Sequence, residues 1–129
     1  MKKCNVLLLF FMLSVAAMAQ KPVINFATNQ FDFGKINEAD GSVTHVFNFT
    51  NKGKAPLVVN RVQASCGCTT PTWTKEPIEA GKKGTITVTY NPSGRPGIFT
   101  KSITIYSNDT TDQVLIIKGE VIPKVEAAK

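Results

Sequence analysis

Strict alternation limits the fold of this chain more than any other feature. In Thr85-Ile86-Thr87-Val88-Thr89-Tyr90, every second residue is apolar and the others are threonine. A period of two places one face of a strand on a core and the other in water. Val43-Thr44-His45-Val46-Phe47-Asn48-Phe49-Thr50 does the same, with Val43, His45, Phe47 and Phe49 on one face. Shorter strand-like runs begin at Val23, Phe31 and Leu57. Two more follow, one through Phe99, Ile103 and Ile105, and one from Gln113 to Ile122. Glycine, proline and asparagine mark turns at 37–41, 51–56, 78–84 and 91–97. No segment sustains a helical period, and there is no internal repeat. Each sheet has one apolar face to bury, so two sheets must pack together. An all-β, immunoglobulin-like β-sandwich of seven to eight short antiparallel strands is expected. Alternation leaves the strand order open.

The first residues read as an export signal. Met1-Lys2-Lys3 is cationic, Val6 to Val15 is apolar apart from Ser14, and Ala17-Met18-Ala19 is a cleavage site. The expected layout is a signal peptide at 1–19, the sandwich at 20–122 and a loose tail at 123–129. The apolar run is shorter than the roughly 20 residues of a membrane span, and no second one follows. The protein is expected to be exported: periplasmic, associated with the outer envelope, or secreted. Loss of Lys2 and Lys3 lowers the net charge from +6 to +4. The remaining lysines are scattered, which reads as a solvated surface with no nucleic-acid partner.

Of three cysteines, Cys4 leaves with the signal, while Cys66 and Cys68 stay. An exported chain meets an oxidising compartment. Three readings of Cys66-Gly67-Cys68 compete. As a structural pair, they form a disulfide or sit as small buried residues in a turn. An extended i, i+2 spacing would hold the Cα atoms about 6.6 Å apart, near the long edge of the disulfide window. Gly67 permits a shorter approach. As a redox pair, they exchange between dithiol and disulfide, although neither a nearby cation nor a helix N-terminus is expected to activate a thiol. As a metal site, Cys66 and Cys68 would offer two soft thiolates to Cu(I). A zinc site wants four ligands, and His45 is the only histidine. No cofactor is expected.

His45 stands on an apolar strand face without a catalytic motif, so it reads as an interior or edge residue. The carboxylates fall mostly at turns. No enzymatic activity is expected. Trp73, with Tyr90, Tyr106 and Phe99, is a candidate binding surface. The alternative places Trp73 as a core cap under the cysteine turn. Edge strands offer a further route to partners.

Several motifs recur in order: Phe31-Asp32-Phe33-Gly34, Phe47-Asn48-Phe49-Thr50-Asn51-Lys52-Gly53, Pro56-Leu57, Ser65-Cys66-Gly67-Cys68-Thr69, Ile78-Glu79-Ala80-Gly81, Gly97-Ile98-Phe99-Thr100-Lys101 and Ser107-Asn108. Together they resemble the domain-of-unknown-function (DUF) 1573 family, exported proteins common in Bacteroidetes. The resemblance implies an immunoglobulin-like sandwich akin to sperm-protein and pilus-chaperone domains, and it implies no activity. Asp109-Thr110-Thr111 also resembles a Bacteroidetes O-glycosylation acceptor, with Thr110 as the acceptor, though an ordinary turn explains it. The expected function is a non-catalytic interaction or envelope-scaffold module whose partner is another envelope protein or a glycan. The alternative is a periplasmic thiol–disulfide or Cu(I)-handling protein acting through Cys66 and Cys68.

Overall fold

The structure is a computed structural model that describes residues 20–125. The expected signal peptide and residues 126–129 of the tail lie outside the described residues. The strands are β1 (Ile24–Phe26), β2 (Gln30–Asn37), β3 (Val43–Asn51), β4 (Val59–Ala64), β5 (Thr69–Trp73), β6 (Lys83–Tyr90), β7 (Gly97–Ser107) and β8 (Gln113–Ile122). A single 3-10 turn, Glu38–Asp40, joins β2 to β3. One sheet has the order β1-β3-β6-β5 and the other β2-β8-β7-β4. The expected sandwich is therefore present.

Three features depart from the expected strands. β2 pairs with β8 in parallel, whereas every strand was expected to pair antiparallel. The chain passes from β1 in one sheet to β2 in the other within three residues. It then lies beside the last strand with the same direction. β4 starts at Val59 rather than Leu57, because Leu57 forms an isolated bridge to Ile78. Thr69–Trp73 is a strand despite Pro71. It lies at a sheet edge, where a missing N–H is tolerated.

The core follows the alternation. Phe47, Phe49, Ile86, Val88 and Tyr90 meet Phe99, Ile103, Ile105, Leu115, Ile117 and Val121 between the sheets, and all are buried. Tyr90 stacks on Phe99 with ring centroids 4.1 Å apart. Gly84 lies opposite Phe49 in the β3–β6 register. A Cβ there would stand 2.5 Å from the Phe49 ring, so the glycine makes room for the aromatic side chain. In β2, Gly34 has φ +69° at an irregularity between Asp32 and Lys35. That left-handed conformation suits glycine, and Asp32 Oδ1 accepts the Gly34 N–H at 2.7 Å.

Asn51 is fully buried where β3 leads into its turn. Its Nδ2 donates to Ala55 O and Ile78 O, both at 2.8 Å. Its Oδ1 accepts N–H groups from Gly53 at 2.9 Å and Val23 at 3.2 Å. Both donors and both lone pairs are used, so the buried amide leaves nothing unpaired. One side chain thus ties together the N-terminal segment, the β3–β4 turn and the β5–β6 loop.

At the opposite end, Glu38 accepts N–H groups from Gly94 at 2.6 Å and Lys124 at 2.9 Å. The chain is therefore still held at Lys124, inside the segment expected to be loose.

Candidate functional site

The cysteines occupy the link between the two sheets. β4 ends one edge of its sheet at Ala64, β5 begins the adjacent edge of the other at Thr69, and four residues cross between them. Ser65 N–H donates to Ser102 O at 2.9 Å, and Ser102 N–H donates back to Ser65 Oγ at 3.1 Å. On the other side, Asn91 N–H donates to Cys68 O at 2.9 Å. Thr69 N–H donates to Cys66 O at 3.3 Å, closing a β-turn with Gly67 and Cys68 at its centre. The turn is therefore fixed to both β7 and the end of β6.

This curvature brings the cysteines closer than an extended strand allows. Their Cα atoms lie 5.3 Å apart, and the sulfurs meet as a bonded pair. The two sulfurs have different surroundings. Cys68 is buried, 4% exposed, while Cys66 is only partly buried at the margin of the core. Cys68 N–H donates to Cys66 Sγ at 3.2 Å. The buried Thr69 places Oγ1 4.0 Å from Cys66 Sγ and 3.7 Å from Cys68 Sγ. Sequence reasoning found the cysteines but overlooked Thr69 and the Cys68 amide as donors. The only signal was the threonine directly after the motif.

The aromatic residues do not form one surface. Tyr90 and Phe99 are buried against each other, and burial pushes the Tyr90 hydroxyl above its ordinary pKa. Tyr106, in β7, carries the Arg61 guanidinium 4.3 Å above its ring. Trp73 packs against the core margin, with the Lys75 ammonium over its ring. His45 stacks on Phe31 at 3.6 Å and meets Phe47 edge-on at 4.6 Å. Removal from water holds its pKa below the ordinary histidine value. Among the described residues, no group of three His, Cys, Asp or Glu side chains is placed to hold a metal ion. Asp109 is used internally: its Oδ2 accepts the Ile24 N–H at 3.0 Å, and its Oδ1 accepts the Thr110 hydroxyl at 3.3 Å. Thr110 is exposed.

The sheet edges are the other candidate surface. On either side of β5, Thr74 N–H donates to Thr85 O of β6 and Cys68 O accepts the N–H of Asn91, just past β6. With the register Thr69↔Tyr90 to Trp73↔Ile86, the backbone groups of Thr69, Pro71 and Trp73 point away from β6. Pro71 thus falls where an outward N–H would stand, and Thr69 N–H is already taken by Cys66 O. β2 is kinked at Gly34, and β1 has only three residues. β4 differs. Ser65 bonds to Ser102, and the register runs evenly from Arg61↔Tyr106 to Ala64↔Ile103. Arg61 and Gln63 therefore bond β7, while the N–H and C=O groups of Val62 and Ala64 face outward. This regular edge ends at the cysteine turn.

Two four-stranded sheets, with an N-terminal segment shared between them and a parallel closing strand, define a two-layer β-sandwich. The chain belongs to the family described as protein of unknown function (DUF1573), whose model matches residues 24–121. No curated protein matches it. Among solved structures, it is similar to a protein of unknown function from Porphyromonas gingivalis W83. The identity is 20% and the TM-score 0.67, over 79% of this chain and 48% of the other. The chain thus spans about half the length of that protein. The seventh ASH/PapD-like domain of human CEP192 matches at 8% identity and TM-score 0.65, over 79% of this chain and 87% of that one. Vibrio cholerae VesB protease matches at 12% identity and TM-score 0.62, over 86% of this chain and 35% of the protease. At these identities the likeness shows the fold alone.

Proposed function

We propose that this chain is an exported interaction module of the cell envelope, and that it binds an extended segment of another envelope protein along β4. One observation supports this reading: beyond the irregularity at Asn60, β4 keeps an even register over Arg61–Ala64 and turns the amides of Val62 and Ala64 outward. An added strand would bond the outward amides of Val62 and Ala64, the general mode of recognition by strand addition. Asn60, Arg61 and Gln63 are exposed beside it and would read the partner's side chains. Export rests on the N-terminal sequence. Glycan binding through Trp73 has less support, because the Lys75 ammonium already covers that ring.

A photoreactive residue at Gln63 in intact cells tests the proposal, with one at Thr72 on the proline-blocked edge as control. Gln63 is expected to give protein adducts that Thr72 does not. Ala64→Pro deletes one outward N–H while sparing the β7 ladder, so it should abolish these adducts. Adducts that persist unchanged in Ala64→Pro, or no adducts at Gln63, would overturn strand addition at β4.

A further inference from the structure

We propose that the cysteine turn is a thiol–disulfide exchange site in which Cys66 meets the substrate and Cys68 is the resolving sulfur. The substrate class is a dithiol on an exported peptide or protein. The inference goes beyond the interaction module and does not depend on it.

Three observations define the roles. First, access differs: Cys66 is partly exposed and Cys68 is buried, so an incoming thiolate reaches Cys66. Second, a backbone donor faces Cys66 alone, with the Thr69 hydroxyl at the limit of reach. The Cys68 N–H is 3.2 Å from its sulfur, and the Thr69 hydroxyl is within 4.0 Å. Hydrogen bonds to a sulfur favour its anionic form. Third, the Thr69 hydroxyl lies within reach of both sulfurs, 3.7 Å from Cys68. It stabilises whichever sulfur leaves. Thr69 is itself 4% exposed, which keeps the hydroxyl in place.

The exchange balances in two steps. A substrate thiolate attacks Cys66 Sγ, a new S–S bond forms between them, and the Cys66–Cys68 bond breaks. Cys68 leaves as a thiolate and takes up a proton. The second substrate thiolate then attacks the substrate sulfur of the mixed disulfide. The substrate closes its own disulfide, and Cys66 leaves as a thiolate held by the Cys68 N–H and the Thr69 hydroxyl. The substrate loses two electrons and the cysteine pair gains them. If the second thiolate is slow, Cys68 re-attacks Cys66 and expels the substrate. Resolution by Cys68 therefore protects against a trapped adduct.

The test uses the oxidised wild-type protein with reduced glutathione as probe, followed by acid quench and peptide mapping. The glutathionyl group is expected on Cys66. In a second measurement, the fully reduced protein is partly alkylated with iodoacetamide, and Cys66 is expected to be labelled first. Thr69→Val keeps the shape of the side chain but removes the hydroxyl. It should slow both reactions about five-fold, the factor matching a hydrogen bond of roughly 1 kcal/mol, with the thermal midpoint as a check that the fold is kept. An adduct on Cys68, a bond that glutathione leaves intact, or equal alkylation of both sulfurs would overturn the assignment. Unchanged rates in Thr69→Val would remove the hydroxyl from it.

Discussion

Asn51 carries more of this structure than its sequence suggests. In Thr50-Asn51-Lys52-Gly53 it reads as an ordinary turn residue, and only two of its contacts are local, to Gly53 N–H and Ala55 O. The others, Ile78 O and Val23 N–H, are 27 and 28 residues away. No local pattern reports such partners. Asn51→Ala would leave the Ala55 carbonyl and the Val23 and Gly53 N–H groups without partners and take one of two donors from Ile78 O, which keeps the Leu57 N–H, so a loss of about 2–4 kcal/mol is expected. Urea denaturation measures it, and a loss under about 0.5 kcal/mol would refute the tie. Asn51→Asp should be at least as damaging at neutral pH, because a carboxylate cannot donate to Ala55 O or Ile78 O. The cysteine pair shows the same limit. Its existence was plain in the sequence, but the difference between its sulfurs was not. Cys68 is held at the end of β6 by the Asn91 N–H on its carbonyl, a partner 23 residues away that no local pattern reports.

At the level of strands, what could be read depended on alternation. β3 and β6 were legible because their apolar residues recur at every second position, and burial follows that pattern. β5 was hidden by Pro71, which signals a break in a sequence but fits an edge in a sheet. The parallel pairing of β2 with β8 was hidden too, since alternation looks the same in either direction. The position of Pro71 leads to a prediction. Pro71→Val restores an outward N–H beside that of Trp73, so β5 offers two successive free donors at its edge. The variant should self-associate at concentrations where the wild type does not, as sedimentation would show. Its stability should change by about 1 kcal/mol or less, because the backbone bonds of Thr70 and Thr72 to β6 are untouched. A variant with the wild type's sedimentation behaviour would mean that Pro71 does not guard the edge.

Across the whole molecule, the two sheets are fastened by groups that respond to pH at different places. His45 on β3 stacks on Phe31 of β2 and so spans the sandwich. Desolvation lowers its pKa from 6.5 in the folded state. The sign follows directly. Above pH 6.5 the ring is neutral in both states. As pH falls below that value, the unfolded chain binds the proton first, so stability declines until the folded pKa is reached and then levels off. Glu38 acts lower. Its hydrogen bonds from the Lys124 and Gly94 amides, in that order of effect, pull its pKa below 4.5. Its contribution is complete above pH 4.5 and is lost as pH falls through the lower folded value. It joins the β2–β3 turn, the β6–β7 loop and the segment after β8 across 56 and 86 residues of sequence. This contact was not legible beforehand, since a carboxylate at a turn looks merely solvated. The urea midpoint should therefore fall in two stages on acidification from pH 8 to pH 3, a range of about this width covering both groups. His45→Phe keeps an aromatic ring beside Phe31 and should remove the first stage only. Glu38→Gln should weaken the second stage while leaving the first. If the upper stage persists in His45→Phe, the only histidine of the chain is not its source, and proton uptake by a coupled carboxylate would have to replace it.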